Sequence, residues 1–239
     1  MKQTLVYSVV LNILLLLTVV FIGARTHFFH DVAARFGWVE KQIVSNQKAD
    51  DCLRGWTRSL ESLHDTVDVV FLGNSITHGG DFDSAFPNKK ICNLGYPSDN
   101  IEGMSKRVNQ VKSLHPAKVF ILGGYNQLDR IDLDVFSNKY EHLIEELARE
   151  CPETRLFALS ILPVNQDIKG VHLCSNSKIG QANTIISKLA HRKGIVYIDL
   201  YSLYLKGGKL NEEYTYDGVH LKADAYRLWY EAIKNYVEQ

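Results

Sequence analysis

The sequence has no excess of charge of either sign, because its 27 Lys and Arg residues balance its 27 Asp and Glu residues. It also has no basic block, whereas proteins that bind nucleic acids usually carry a basic patch or stripe. The composition therefore argues against nucleic acid as the main partner. The chain has 239 residues, 46% of them hydrophobic, and no internal repeat or low-complexity tract. It suits one compact domain with a short appendage.

Cysteine is scarce, and its placement excludes the common metal motifs. The four cysteines are widely spaced and form no C-x-x-C pair. No glycine-rich phosphate loop is convincing either, so we predict neither a metal site nor an organic cofactor. In an oxidising compartment one disulfide could form, but the default expectation is buried free thiols. The four residues are Cys52, Cys92, Cys151 and Cys174.

One long apolar run is present, from Leu5 to Ala24, and no charge interrupts it. A helix needs about 20 such residues to cross the hydrocarbon core of a bilayer. We therefore predict a membrane anchor, a transmembrane helix over residues 1–24, and a juxtamembrane helical segment over 25–63. A secretory signal peptide, cleaved after export, is the alternative. In both cases we expect the folded domain, residues 64–239, to lie outside the cytoplasm.

Short apolar runs alternate with amphipathic segments of helical length over the rest of the chain. Strands that are apolar almost throughout, alternating with helices, are typical of a parallel sheet covered on both faces. The pattern predicts an α/β fold, a three-layer α/β/α sandwich with a five-stranded parallel sheet. The predicted strands are Val67–Gly73, Lys89–Gly95, Ala117–Gly124, Arg155–Leu162 and Ile195–Leu200. The predicted helices are Asn100–Leu114, Leu133–Glu150, Ser177–Lys193 and Lys222–Val237.

Three of the predicted strands end in polar turns marked by glycine. In such a sheet, ligands bind beyond the carboxyl ends of the strands. The three turns should therefore meet at one rim, where the chemistry of the protein is to be sought. They are Gly73-Asn74-Ser75, Asn93-Leu94-Gly95 and Gly123-Gly124-Tyr125-Asn126.

Ser75 directly follows the first strand, at a turn that would expose its hydroxyl at the rim. A serine hydroxyl is a poor nucleophile without a base, and His220 stands just before the last helix, three residues after Asp217. Across an Asp-Gly turn, Asp217 could accept the Nδ1–H of His220 and fix its tautomer. The alternatives are a helix-capping Asn-Ser turn and a surface Asp-Gly turn with a capping histidine.

Hydrolysis of an ester also needs hydrogen-bond donors for the oxyanion that develops on the carbonyl oxygen. The candidates are the N–H groups of Ser75 and Gly95 and the side-chain amide of Asn126. Removal of one such donor typically costs a factor of about 10²–10³ in rate. The alternatives are a turn that needs positive φ at Gly95 and an Asx-turn at Asn126.

The order of these residues along the chain resembles that of the SGNH hydrolases, also called GDSL-type esterases and acylhydrolases. Their four signature blocks are similar to FLGNSITHGG, NLGYPSDN, GGYNQL and YDGVHL. The resemblance extends from Arg54 to Gln239 and implies the flavodoxin-like fold of these hydrolases. Three further segments resemble the branch of acetylhydrolases and sialate O-acetylesterase-like proteins. These segments are Arg107–Val111, Ile161–Asn165 and Lys209–Tyr214.

The resemblance implies a role for each residue of the candidate site. Ser75 would be the nucleophile, His220 the general base and Asp217 the residue that orients His220. The N–H groups of Ser75 and Gly95 and the amide of Asn126 would form the oxyanion hole.

The chain departs from the family pattern at two positions. The usual Gly-Asp-Ser reads Gly-Asn-Ser here, with Asn74, and the usual acid after the hole asparagine is Gln127. The serine and the asparagine that carry the chemistry are both kept. We expect Asn74 to be tolerated because the serine supplies the chemistry, and we expect Asn74 and Tyr125 to contact the substrate.

The resemblance implies a serine ester hydrolase that removes a small acyl group, most simply acetyl, from a carbohydrate or a similar ester. The expected partners are thus a small-molecule or glycan ester and, through the N-terminal helix, a membrane. Two alternatives stay open: an envelope O-acyltransferase that uses the same three residues, and a non-catalytic glycan-binding protein on this fold.

Overall fold

The computed structural model describes residues 66–168 and 174–239 of the chain. The predicted anchor and juxtamembrane segment, residues 1–24 and 25–63, lie outside the described residues, as does the alternative of a cleaved signal. Within the two described ranges, no helix is both long enough and apolar enough to span a bilayer.

The five predicted strands form one sheet in which all neighbours run parallel. The strand order is β2-β1-β3-β4-β5, which is the order of flavodoxin-like doubly wound folds. The prediction of an α/β fold with a five-stranded parallel sheet is therefore confirmed. The strands are β1 (Val69–Gly73), β2 (Ile91–Gly95), β3 (Lys118–Leu122), β4 (Arg155–Leu159) and β5 (Val196–Ile198).

The connections between the strands are helical. The two longest helices agree with their predicted segments to within one residue at each end. The α-helices of the described residues are α1 (Ser75–His78), α2 (Phe82–Ala85), α3 (Ile101–Lys106), α4 (Val108–Ser113), α5 (Tyr125–Leu128), α6 (Leu133–Glu150), α7 (Asn176–Arg192), α8 (Tyr201–Tyr204) and α9 (Tyr226–Glu238). A short antiparallel hairpin, β6 (Leu205–Lys206) with β7 (Lys209–Leu210), and the 3-10 turns Glu212–Tyr214 and Ala223–Ala225 lie between α8 and α9.

Alternate residues of the central strands enter two hydrophobic clusters, one on each face of the sheet. In β1, Val70 and Leu72 belong to one cluster, while Val69 and Phe71 belong to the other. Because side chains alternate across a strand, a strand that is apolar at every position has to be covered on both faces. Helices α3, α4, α6 and α7 cover the first face, and α2 and α9 cover the second. The described domain therefore has the predicted three layers.

The predicted helix Lys222–Val237 begins as the 3-10 turn Ala223–Ala225, and another predicted helix is divided in two. The segment Asn100–Leu114 forms two short helices, α3 and α4, which are separated at Arg107. The backbone of Arg107 leaves the helical conformation, with φ −102° and ψ 6°. Its side chain is buried and its guanidinium donates to backbone carbonyls at the ends of β1 and β2. The prediction of a continuous helix was wrong because the apolar period of this segment does not show that the backbone breaks at Arg107.

The three described cysteines, Cys92, Cys151 and Cys174, carry free thiols. Burial raises the pKa of each thiol, that of Cys92 to about 11. Thiols of this kind are largely protonated at neutral pH and are therefore poor nucleophiles. Cys52 lies outside the described residues.

Candidate active site

Ser75 lies at the rim of the sheet because β1 ends two residues before it. The strand ends at Gly73, Asn74 turns the chain, and Ser75 is the first residue of α1. The Oδ1 atom of Asn74 accepts a hydrogen bond from the N–H of Ile76 at 3.0 Å, which caps α1. Since Ser75 opens the helix, its own N–H has no acceptor within that helix.

The turn around Ser75 is packed tightly from two sides. A Cβ atom at Gly95 would come within 2.1 Å of the backbone nitrogen of His78, so only glycine allows β2 and α1 to approach so closely. On the other side, the hydroxyl of Tyr226, the first residue of α9, donates to the carbonyl of Ile76 at 2.6 Å. The position of Ser75 is therefore set by buried contacts from β2 and α9.

His220 meets Ser75 across 145 residues of sequence. The Nε2 atom of its ring lies 2.9 Å from the Ser75 hydroxyl oxygen, and its Nδ1 atom lies 2.6 Å from Oδ2 of Asp217. A carboxylate can only accept, so Nδ1 carries the proton and Nε2 is left to accept from the hydroxyl. The structure thus joins the three predicted residues in one hydrogen-bonded series.

Asp217 is held in its charged form by its surroundings. Burial disfavours the carboxylate, but hydrogen bonds from the His220 ring and from the backbone N–H groups of His220 and Val219 outweigh burial. Together they hold the pKa of Asp217 below its ordinary value. A carboxylate that stays ionised can stabilise an imidazolium beside it.

The loop that carries His220 is organised by its own residues. The Thr215 hydroxyl donates to the carbonyl of His220 at 2.7 Å and accepts from the N–H of Gly218 at 2.9 Å. Gly218 has φ 89°, a left-handed conformation that favours glycine and closes the Asp-Gly turn. One bond from outside, from the N–H of Asn165 to the carbonyl of Gly218 at 2.9 Å, fastens the loop to the segment after β4.

Asn126 follows β3, which is the neighbour of β1 in the sheet. It lies in the short helix α5, and α5 begins after Gly124, whose φ of 104° and close approach to the Phe136 ring both require glycine. One N–H of the Asn126 amide donates to the carbonyl of Asp99 at 2.7 Å. A side-chain amide has two N–H donors, so a second one is left for a ligand.

The N–H of Gly95, a predicted oxyanion donor, already has a hydrogen-bond partner. It donates to the side-chain oxygen of Asn93 at 2.9 Å and is therefore occupied in this structure. Glycine is needed there for the close approach of α1 described above, and not for positive φ. The N–H of Ser75 and the amide of Asn126 are the predicted oxyanion donors that remain.

The two residues predicted at the substrate differ in their surroundings. Asn74 is 1% exposed and its side chain caps α1, so its expected contact with substrate is wrong. Tyr125 is half-buried against the first cluster, and burial raises the pKa of its hydroxyl to about 12. Tyr125 is the first residue of α5 and directly precedes Asn126.

Gln127, the second departure from the family pattern, has a structural partner. Its Oε1 atom accepts a hydrogen bond from the N–H of Ile101, the first residue of α3, at 3.0 Å. Together with the bond from Asn126 to Asp99, it ties α5 to the start of α3 and to the turn before it. Gln127 is 2% exposed and therefore holds α5, the helix that carries Asn126, by a buried hydrogen bond.

A buried ion pair that the sequence did not reveal lies behind this rim. Arg107, 4% exposed, and the side chain of Asp99, 8% exposed, are hydrogen-bonded through Nη2 and Oδ2. The guanidinium also donates to the carbonyl of Leu94 at 2.7 Å and to that of Gly73 at 3.2 Å. The sequence offers one signal for the burial of Arg107. The helical period of α3 and α4 assigns position 107 to the buried face, where an arginine is unusual.

Tyr216 is an exposed aromatic residue beside the imidazole. Its ring is nearly parallel to that of His220, with centroids 6.1 Å apart and planes inclined by 12°. It is 65% exposed, the largest exposure among the large hydrophobic residues of the described chain. Tyr214, two residues earlier, instead packs edge-on against Tyr204 inside the domain.

The arrangement can carry out acyl chemistry. It offers a hydroxyl beside a base, a carboxylate that orients the base, and two unpaired N–H donors on neighbouring strand ends. In residues 66–168 and 174–239, no three His, Cys, Asp or Glu side chains converge as metal ligands would.

The chain is similar to known proteins in two respects: its sequence matches a protein family, and its fold matches solved structures. The sequence profile of the GDSL-like Lipase/Acylhydrolase family matches residues 71–228, about two thirds of the chain. No curated protein sequence matches.

Solved structures share the fold at low sequence identity. A GDSL-like lipase from Bacteroides thetaiotaomicron is 24% identical with a TM-score of 0.66, covering 78% of this chain and 97% of its own. The lipase/acylhydrolase from Enterococcus faecalis is 23% identical with a TM-score of 0.61, covering 72% and 95%. An acetyl xylan esterase is 22% identical with a TM-score of 0.61, covering 71% and 99%.

Proposed function

This chain belongs to the GDSL-like lipase/acylhydrolase family and is an ester hydrolase, and we propose that it works through an acyl-enzyme formed on Ser75. The observation that carries the proposal is the hydrogen-bonded series from Ser75 Oγ through His220 to Asp217, at 2.9 and 2.6 Å. It provides a nucleophile that contacts a general base and a carboxylate that contacts the same base from its other ring nitrogen.

In the first step the Ser75 oxygen forms a bond to the ester carbonyl carbon while Nε2 of His220 takes the hydroxyl proton. The carbonyl oxygen becomes an oxyanion. When this intermediate collapses, the bond to the alcohol breaks, and the alcohol leaves with the proton that His220 holds. The acyl group stays on Ser75.

In the second step His220 takes a proton from a water molecule, which attacks the acyl carbon. Collapse of the second intermediate breaks the bond to the Ser75 oxygen and returns the proton to it. The carboxylic acid leaves, and the site is restored. The charge of Asp217 stabilises the imidazolium in both steps.

The oxyanion is stabilised by the donors that the structure leaves unpaired. These are the N–H of Ser75 and the second N–H of the Asn126 amide. Donors that are held in place before the reaction cost no reorganisation when charge develops, and each typically contributes a factor of about 10²–10³.

We propose further that the substrate is a carbohydrate bearing a small acyl group, most simply acetyl. Tyr216 supports this substrate class, because an exposed aromatic ring beside the base is a surface on which the apolar face of a sugar ring can pack. The fold shared with an acetyl xylan esterase is consistent with it.

Acetate release from acetylated monosaccharides, O-acetyl sialic acid and acetylated xylan fragments tests the substrate class, with p-nitrophenyl octanoate and ethyl acetate for comparison. We expect kcat/KM to be highest for an acetylated sugar. Tyr216→Ala should lower kcat/KM for that sugar by about tenfold, the loss of roughly 1.4 kcal/mol of stacking. It should leave ethyl acetate, which has no ring, unaffected.

Tyr216→Phe is the matched control, since packing on a sugar needs the ring and not the hydroxyl. Equal losses on both esters in Tyr216→Ala, or a preference for octanoate, would reject the carbohydrate proposal and leave the esterase chemistry intact. Adding a glycan acceptor tests the acyltransferase alternative, which requires acyl transfer to exceed acetate release.

The apolar run from Leu5 to Ala24 supports a proposal on location, namely that it holds the hydrolase domain at a membrane on the non-cytoplasmic side. We expect the full chain to sediment with membranes and to resist extraction at alkaline pH. A variant that lacks residues 1–24 should be released to the soluble fraction. Recovery of the full chain without membranes, shortened at its N-terminus, would favour the cleaved signal instead.

A further inference from the structure

The strongest observation that the proposed chemistry leaves unused is the buried pair of Arg107 and Asp99. Neither side chain reaches Ser75 or His220 through any hydrogen bond of the described structure. Taking two charges out of water is costly, and apolar residues of similar volume are often at least as stabilising as a buried ion pair. Stability alone is therefore a weak reason for this pair.

The guanidinium of Arg107 joins the ends of two strands to one loop. It donates to the carbonyl of Gly73, two residues before Ser75, and to that of Leu94 in β2. Its third partner is the carboxylate of Asp99. The planar fork of an arginine fixes such partners in both distance and direction.

Asp99 connects Arg107 to Asn126 by hydrogen bonds. Its backbone carbonyl accepts the Asn126 amide at 2.7 Å, while one carboxylate oxygen holds Arg107 and the other accepts the N–H of Asn100 at 3.0 Å. A continuous series of hydrogen bonds thus runs from the strand that precedes Ser75, through Arg107 and Asp99, to the side chain of Asn126.

Gly103 gives an independent sign that the carboxylate of Asp99 has a required position. Glycine inside a helix costs about 0.8–1.0 kcal/mol relative to alanine. A Cβ atom at Gly103 in α3 would nevertheless lie 1.7 Å from Oδ1 of Asp99 and 2.9 Å from its Cγ. The glycine weakens α3 and makes room for the carboxylate.

The turn before Asp99 carries strain at the same place. The N–H of Asp99 donates to the carbonyl of Tyr96 at 3.1 Å, with Pro97 and Ser98 between them. Ser98 has φ 65°, one of two positive values among the described non-glycine residues. Strain of this kind persists only where surrounding contacts enforce it, and the residue that follows Ser98, Asp99, is held by Arg107.

We propose that Arg107 and Asp99 are positioning residues that set the place of the Asn126 amide relative to Ser75, and thereby the rate of the chemical step. The inference rests on the proposed role of Asn126 as an oxyanion donor. Because donors act on the transition state, displacement of Asn126 lowers kcat and leaves KM nearly unchanged.

The first test uses two glycines of helical segments. Gly103→Ala would push the Asp99 carboxylate aside, whereas Gly180→Ala, in α7, meets no atom within 4 Å. Helix propensity predicts that both substitutions stabilise the protein. We expect Gly103→Ala to lower kcat at least about tenfold, with KM changed less than about threefold. Gly180→Ala should change neither. Equal kcat in the two variants would overturn the inference.

The second test asks whether Asp99 acts through Asn126. Asn126→Ala should lower kcat by about 10²–10³. Asp99→Asn should lower kcat by about 10-fold or more, and in the Asn126→Ala background by less than about twofold, because the donor that it positions is already gone. Losses that multiply would show that Asp99 acts elsewhere.

The outcomes separate this inference from the proposed function. If Ser75→Ala abolishes turnover while Asn126→Ala does not lower kcat, the positioning role fails and the acyl-enzyme stands. If Ser75→Ala retains turnover, the proposed function itself fails. Thermal unfolding monitored by circular dichroism accompanies each variant. A loss of kcat found only where the variant is partly unfolded at the assay temperature would assign the pair to folding and overturn the inference.

Discussion

The two halves of the site are built in different ways. The half that carries Ser75 and Asn126 is assembled from strand ends, and its contacts are buried and distant in sequence, such as those of Arg107 with Gly73 and Leu94. The half that carries His220 is a loop, residues 215–220, that is closed by hydrogen bonds between its own residues. The side chains of Asp217 and His220 are 34% and 35% exposed.

This difference indicates which contacts fix the positions of the side chains in each half. The nucleophile half is rigid because close-packed interiors resist displacement. The histidine half keeps its base and carboxylate together by a short turn and relies on few outside bonds, among them Asn165 to Gly218. Substitutions in the first half should therefore act on the chemistry over long distances, and those in the second half should act locally.

The largest expected effect comes from the nucleophile half. Ser75→Ala should lower kcat on p-nitrophenyl acetate by several orders of magnitude, about 10³ or more, because the acyl-enzyme cannot form. Ser84→Ala is the matched control, because Ser84 is an exposed serine in α2 that bonds Asp81 through its backbone N–H and not through its hydroxyl, and it should retain full activity. A rate in Ser75→Ala equal to that of the control would remove the basis for calling this half the nucleophile half.

The next effect tests the histidine half. Asp217→Asn keeps a side-chain oxygen for the backbone of Val219 and His220 but loses the charge that orients the ring. We expect kcat to fall by about 10²–10⁴ with little loss of thermal stability. Asp199→Asn, another aspartate that accepts from a nearby backbone N–H, should have no effect on kcat. A loss of less than about threefold in Asp217→Asn would contradict the assigned role.

A smaller effect is expected from the bonds that close the histidine loop. Thr215→Val removes a buried hydroxyl that bonds His220 and Gly218, so kcat should fall by about tenfold and stability by about 1–2 kcal/mol. Thr154→Val removes one hydroxyl bond, to Pro116, and should cost stability alone. Chemical denaturation and initial rates on both variants compare them. Equal activities would mean that the loop does not depend on Thr215.

The smallest effect is a pH dependence of stability. The pKa of Asp217 is lower in the folded protein than its ordinary value, so its contribution is fully present above the unfolded-state pKa of about 3.9. That contribution is lost as pH falls through the lower, folded-state pKa. Since the carboxylate is about one third exposed, we expect well under 1 kcal/mol.

Urea denaturation of wild type and of Asp217→Asn between pH 3 and pH 7 measures this effect. We expect the difference between their free energies of unfolding to be constant near pH 7 and to shrink within roughly one pH unit of the carboxylate pKa. A difference that grows as pH falls would mean that the folded state raises this pKa.

The same contrast explains what could be predicted from the sequence. The sheet was predictable because strands buried on both faces are apolar at every position, as in Val69–Gly73. The pair of Asp217 and His220 was predictable in its proximity because three residues across an Asp-Gly turn bring the side chains together. The approach of His220 to Ser75 followed from the rule that loops at one rim of a parallel sheet meet.

The rest could not be predicted because its cause is long-range. The burial of Arg107 depends on carbonyls at positions 73 and 94, and no periodicity announces such partners. Gly95 was assigned as an oxyanion donor, but its N–H is taken by Asn93, two residues away. Asn74 was assigned to the substrate, although the same residue type is preferred as a helix cap, which is its place here.

Covalent labelling tests most directly whether the two halves act together on one hydroxyl. The full chain is treated with a fluorophosphonate, the intact mass is measured, and the adduct is mapped by peptide mass spectrometry. The account predicts one adduct, on Ser75, formed at least about 10² times more slowly in His220→Ala because the general base is gone. An unlabelled Ser75 in the folded protein, or labelling at the same rate without His220, would contradict it.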